Sequence, residues 1–205
     1  ANERWEACKG KGDGRISYGL DPARYGDDST TLARLVGRVL ENLTYTEQQS
    51  TMETVGHTVA AIKDKSMPIG VDVIGIGAGV YDRLKELGYN QAMAVNAGES
   101  ATDVFGEPIT DASGTLEFYN RRSQLWWAMR EALDPESGNP LALPPDDRLT
   151  GDLTAPLYSY TSNGKIRVEA KDDIRKRIGR STDAADALAL ALFVGWVGSG
   201  EQFGA

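Results

Sequence analysis

The apolar positions change period several times along the chain, and each change marks an element. Residues 15–20 (RISYGL), 30–36 and 39–45 read as half-buried strands, and the breaks at Gly26-Asp27-Asp28 and Gly37 predict an antiparallel meander. From 51 to 65 the spacing becomes helical, with Met52, Val55, Val59, Ala60 and Ile62 on one side and Pro68 as a stop signal. A short apolar run at 71–76 (VDVIGI) ends in Gly77-Ala78-Gly79. A helical stretch through Leu87 and a further strand at 92–95 follow. A strand, helix, strand order predicts parallel pairing.

After Asn96 the pattern loosens for about twenty residues, too long for a mere connection in a compact domain, so a mobile or functional loop is expected there. A helix is predicted over 117–133 and a Pro/Gly-rich break over 134–145. Two runs at 157–161 and 165–169 flank Ser162-Asn163-Gly164, and Asn-Gly between alternating runs predicts a β-hairpin. A basic helix at 171–178 precedes a helix at 182–197 that is apolar on nearly every face and must therefore be buried. Residues 1–14 show no period and read as a tail or linker remnant, and 198–205 as a second tail. The expectation is one α/β domain over 15–197. Its central sheet is mixed, with three antiparallel strands and then parallel ones, flanked by helices and extended by a hairpin.

Composition narrows the chemistry. No run approaches the roughly 20 apolar residues that a membrane helix requires, and the first residues lack the apolar core of a signal peptide, so no membrane partner is expected and the protein should be soluble and intracellular. Cys8 is the single cysteine and His57 the single histidine, which excludes an internal disulfide and a Cys/His metal cluster. A net charge of −8 argues against a phosphate-rich partner. The distribution tempers that argument. Between 165 and 180 lie Lys165, Arg167, Lys171, Arg175, Lys176, Arg177 and Arg180, against Glu169, Asp172 and Asp173.

Three groups of carboxylates stand where hydrophobic elements end. Asp21 precedes Pro22, which cannot donate to a strand ladder, so Asp21 falls at a strand tip. A turn-initiating Asp before Pro explains Asp21 alone equally well. Asp72 interrupts the apolar run at 71–76, where either an edge position or a functional role accounts for a charge. Asp183 and Asp186, three residues apart, share one face at the start of the last helix. Capping accounts for one of them more readily than for both. Brought together, these groups would repel one another unless cations neutralised them, and oxygen-only ligands suit Mg²⁺ or Mn²⁺. Two such ions hydrolyse phosphodiesters without His or Cys.

Gly19-Leu20-Asp21-Pro22-Ala23-Arg24-Tyr25-Gly26-Asp27-Asp28-Ser29-Thr30, Val71-Asp72 with Gly75-Ile76-Gly77-Ala78-Gly79, Tyr119-Asn120-Arg121-Arg122, Trp126-Trp127, and Lys171-Asp172 through Arg180-Ser181-Thr182-Asp183-Ala184-Ala185-Asp186-Ala187-Leu188 occur in that order. This set resembles the nuclease domain of phage large terminase subunits, from about Gly19 to Phe193. The resemblance implies an RNase H-like fold and a two-metal endonuclease that cuts concatemeric DNA during packaging. Asp21, Asp72 and Asp183 then match the catalytic carboxylates, with Asp186 as an additional or alternative metal ligand. It also implies double-stranded DNA, a packaging ATPase domain, a small terminase subunit and a portal as partners, in the host cytoplasm. Thr182 stands where many relatives have proline. No Gly-x-x-x-x-Gly-Lys-Ser/Thr loop occurs, so an excised or separately encoded nuclease domain, monomeric in isolation, is expected.

Lys165, Arg167, Lys171, Arg175, Lys176 and Arg177 form a candidate DNA surface, joined by Arg121 and Arg122 on the 117–133 helix. A solvated face explains the last two as well. At least one of Trp126 and Trp127 should be core. Gly75, Gly77 and Gly79 do not meet the G-x-G-x-x-G spacing of a dinucleotide site. Three alternatives remain: a junction-resolving nuclease, whose Asp-Ala-Ala-Asp-Ala-Leu ending is similar, a DNA-gripping module with little activity of its own, and an ATPase of actin-like fold.

Overall fold

The computed structural model describes residues 1–12, 14–23, 29–47 and 50–197. Alternating burial first builds three antiparallel strands, β1 (Ile16–Asp21), β2 (Ser29–Val36) and β3 (Val39–Glu47). Asp21 pairs with Thr31 and Thr31 with Tyr45, so one row of side chains crosses all three strands on one face. The predicted break at Gly26-Asp27-Asp28 and the 198–205 tail lie outside the described residues. β4 (Ile69–Asp72) adds parallel to β1, and β5 (Ala92–Val95) parallel to β4, giving the order β3-β2-β1-β4-β5. This is the mixed sheet that the periodicity predicts.

Helices cover both faces. α2 (Thr51–Ala61), closed by a Ser50/Glu53 capping box, and α3 (Gly77–Glu86) enclose Leu20, Ile69, Val71, Val80 and Leu84 on one side. On the other, α7 (Asp183–Val197) lies across β1 and β2, with α4 (Arg121–Leu133) and α5 (Asp147–Thr154) packed beside it. β6 (Tyr158–Tyr160) and β7 (Ile166–Val168) form the separate hairpin, and α6 (Lys171–Ile178) follows it.

Four boundaries and elements differ from the sequence expectations. β4 ends at Asp72 instead of running to residue 76, because the Asp72 carboxylate accepts from the Ile74 amide at 2.9 Å and turns the chain. Asp72 therefore sits at a strand tip, as Asp21 does. α4 begins at Arg121, not at 117, because Asn120 caps it through the Ser123 amide. A helix, α1 (Asn2–Cys8), occupies part of the expected tail, with the Trp5 indole donating to the Leu40 carbonyl at 2.8 Å. α5, with a glycine and only two leucines, at i and i+4, is too short for its periodicity to stand out within the Pro-rich region before it.

Candidate active site

The close approach of α7 to the sheet creates the site. A Cβ added to Gly19 would stand 1.9 Å from the Ala187 carbonyl oxygen, and one added to Gly70 would stand 2.9 Å from that of Leu190. Only glycine permits such contact between strand and helix backbones. Side chains two residues apart in a strand share a face, so Asp21 and Asp72, each two residues beyond a glycine, also point to the α7 side. They emerge where α7 begins. Asp183 and Asp186, in its first turn, meet them there.

A cation occupies the centre of this group. The Lys171 ammonium, carried by the first residue of α6, lies 2.6 Å from Asp21 Oδ2, 3.1 Å from Asp183 Oδ1 and 3.3 Å from Asp186 Oδ2. Asp183 Oδ2 accepts from the Ser29 amide at 3.1 Å and lies 3.5 Å from an Arg148 nitrogen. Asp186 is more fully engaged. Its Oδ1 accepts from Arg122 at 2.7 Å and from the Trp126 indole at 2.8 Å, and its Oδ2 from the Thr182 hydroxyl at 2.9 Å. Expected as a further ligand, Asp186 has both oxygens held by protein donors.

The electrostatics separate these carboxylates. Burial pushes the Asp21 carboxyl up to about 8 against the pull of Lys171, and Asp186, Asp183 and Asp72 add to the rise. Burial also raises Asp72, opposed by the Ile74 amide and Lys171. For Asp186 burial is outweighed by Arg122, Lys171 and the Thr182 and Trp126 hydrogen bonds, which bring it down to about 2. Desolvation pulls the partly exposed Lys171 down, but Asp21, Asp186 and Asp183 outweigh it and hold the ammonium charged, well above the ordinary lysine value.

No family model and no curated protein matches the sequence. Solved structures do. A lysine-to-alanine variant of the nuclease domain of the large terminase subunit of bacterial virus Sf6, with manganese and beta-thujaplicinol, superposes with a TM-score of 0.74 at 20% identity over 92% of this chain and 95% of that one. The large terminase nuclease from thermophilic phage G20c, with bound magnesium, gives a TM-score of 0.60 at 18% identity, covering 87% of this chain and 80% of that one. The Thermus phage P74-26 large terminase nuclease domain gives 0.56 at 17%, with coverage of 87% and 80%. The chain has the RNase H-like fold of large terminase nuclease domains.

On this terminase-nuclease fold the predicted basic residues divide into two sets. Arg121 and Arg122 depart from a solvent-facing row: they are 9% and 8% exposed. Arg121 bonds Gln124 and the Thr102 carbonyl, and Arg122 bonds Asp186 and the Glu169 carbonyl. They face inward because α4 packs on α7 and the hairpin. Lys171 points into the carboxylates. Lys165 and Arg177 pair with Glu117 and Glu169 at 2.7 and 2.6 Å. Arg175, Lys176 and Arg167 are exposed, and Arg167 lies over the Tyr119 ring at 4.9 Å. With Asp21, Asp72, Lys171 and Tyr119 it lines a groove of about 420 Å³. Both Trp126 and Trp127 are buried.

Sequence reasoning missed α5 and what it contributes. Asp152, fully buried, accepts from the Ala184 amide at 3.0 Å and pairs with Arg180, so it caps α7 from another helix. Arg148 reaches Asp183. No local pattern in DRLTGDLT signals either role, because both depend on contacts 28 or more residues away along the chain.

Proposed function

We propose that this chain is a divalent-metal-dependent endonuclease that hydrolyses double-stranded DNA, acting as the nuclease part of a phage large terminase subunit. One observation carries the reading: Asp21, Asp72 and Asp183, from two strand tips and a helix start, face one end of the sheet together with a central cation. The solved neighbours, determined with manganese, calcium and magnesium, support it.

The residues fit a metal. Among the described residues no group of three or more His, Cys, Asp or Glu is disposed as it stands to hold a metal ion. The donors are nevertheless all oxygen, and an ammonium held by three carboxylates marks a place where positive charge is favoured. Asp21, Asp72 and Asp183 would hold two Mg²⁺ or Mn²⁺ ions, with Asp186 behind them. Bound there, such ions supply an activated water and stabilise the leaving oxygen.

The chain's own groups do the rest. Arg122, Trp126 and Thr182 fix Asp186 and with it the first turn of α7, while Asp152 fixes the same turn from the other side. Lys171 neutralises the acids before ions arrive and, once displaced, stands beside the substrate phosphate. Arg167 and Tyr119 line the groove along which the sugar-phosphate backbone lies. Contacts to backbone give little sequence preference. The packaging ATPase domain, small terminase and portal are the partners this role requires, in the host cytoplasm, with the isolated nuclease domain monomeric.

The test is plasmid cleavage with Mg²⁺ or Mn²⁺, with and without EDTA, for the intact chain and for Asp72→Ala and Asp183→Ala. Cutting that needs metal and is lost in both folded variants is expected. Undiminished cutting in either removes that residue from the site.

A further inference from the structure

The arginines around the carboxylates are not equivalent. Arg121, Arg122, Arg177 and Arg180 all donate to protein acceptors. Arg148 and Arg167 differ: among the described residues neither makes a side-chain hydrogen bond to a protein acceptor, Arg148 only approaching Asp183 Oδ2 to 3.5 Å, and each guanidinium lies over a tyrosine ring. Arg148 covers Tyr45 at 4.5 Å and Arg167 covers Tyr119 at 4.9 Å. A stacked guanidinium keeps its N–H edge free for a phosphate.

The two stacks lie on opposite sides of the acids. Tyr45 pairs with Thr31 and Thr31 with Asp21, so Tyr45 stands two strands from Asp21, roughly 10 Å at about 4.8 Å per strand. Asp72 lies on the strand at the other side of β1, and Arg167 and Tyr119 share a groove with it. The β3 stack is also held in place. The Tyr45 hydroxyl donates to Asp146 Oδ2 at 3.1 Å, while Asp146 Oδ1 caps α5 through the Leu149 amide at 2.8 Å. The Arg148 side chain remains 32% exposed.

We propose that Arg148, braced on Tyr45, binds a DNA phosphate on the β3 side of the cut, so that one strand is gripped on both sides of the carboxylates, by Arg148 and by Arg167. This rests on the nuclease reading above and adds a residue and a direction to it. The strand runs across the strand tips from the hairpin side to α5. Arg148 is then a positioning residue, and its 3.5 Å approach to Asp183 keeps its guanidinium near the reacting phosphate.

The experiment is fluorescence anisotropy of a short labelled duplex against salt concentration, in EDTA and again in Ca²⁺, with thermal unfolding run on each variant. Arg148→Ala should bind about tenfold more weakly and lower the slope of log affinity against log salt by about 0.9, the signature of one lost phosphate contact. Arg148→Lys should restore the slope, and Arg148→Ala with Arg167→Ala should lower it by about twice as much. An unchanged slope in Arg148→Ala overturns the proposal even if cutting falls, because a purely structural effect on Asp183 moves cutting and not counterion release. An intact chain that neither binds nor cuts duplex overturns the nuclease reading as well.

Discussion

The two flanks of the carboxylate group are built differently. On the α6 side a single lysine reaches in from the first residue of its helix, its side chain 31% exposed, and touches three acids. On the α5 side a fully buried aspartate that accepts from the start of α7, a capped helix start and an arginine over a tyrosine ring all belong to one short helix and its cap. The first arrangement supplies charge from a partly exposed side chain, which the proposed function requires to give way to metal. The second supplies position, since Asp152 cannot move without uncapping α7. A site that must hold its acids in place and also exchange one cation for others needs both kinds of support.

The largest effect that sharpens this contrast is expected at Asp183 itself. Asp183→Asn should lower plasmid cleavage on the order of 10³-fold, about 4 kcal/mol of transition-state stabilisation, with little change in melting temperature. Retained cutting would mean that the acid between the two flanks is not at the reacting centre. Next comes Asp186→Ala, which leaves buried Arg122 without its carboxylate and should cost about 3 kcal/mol in denaturant unfolding, a loss of fold more than of chemistry. A neutral result there would show that α7 is fixed by other contacts.

Asp152→Ala tests the rigid flank directly. Losing the cap of α7 and the Arg180 partner should lower stability by about 2 kcal/mol, and cutting should fall with it because Asp183 shifts. Lys171→Ala tests the exchangeable one. Calorimetry should find Mn²⁺ bound about tenfold more tightly, and the melting temperature, lowered in EDTA, should recover when Mn²⁺ is added. Equal Mn²⁺ affinity in both proteins would show that the ammonium does not compete with metal.

The smallest effect is in the pH dependence of the metal-free protein. Asp21 is raised from 3.8 to about 8 in the folded state, so its contribution to stability is fully present below 3.8 and lost as pH rises through about 8. Asp186, lowered to about 2, contributes above 3.8 and is lost as pH falls through about 2. Melting temperature in EDTA should therefore decline across the neutral range, and Asp21→Asn should flatten that decline. A decline of the same steepness in Asp21→Asn would assign it to another group.

Much of this site was legible because its acids break strong local patterns. Asp21 before Pro22, Asp72 in an apolar run and two acids opening an apolar helix are each visible within a few residues. The placement of Asp72 is less legible: the apolar run to residue 76 favours a longer strand, and only the carboxylate's bond to the Ile74 amide ends it. Arg121 and Arg122 looked like a basic surface because α4 has charge and bulk on every side, and a helix wedged between α7 and the hairpin buries such a face. The Trp126 indole donates to Asp186, 60 residues away, a pairing that no spacing announces.

By itself the sequence determined the order and type of the main elements, the mixed pairing of the sheet and the acids at the ends of those elements, because periodicity, turn residues and capping act over a few neighbouring positions. The tertiary structure alone decided which cation stands among the acids, that Asp186 is held by Arg122, Trp126 and Thr182 and Asp183 by Ser29, and that α5 braces the opposite flank. Those outcomes depend on contacts such as Lys171 with Asp21 and Asp152 with Ala184, 150 and 32 residues apart in the chain. Burial and Coulomb energy depend on distance in space, and a linear pattern carries no record of that distance.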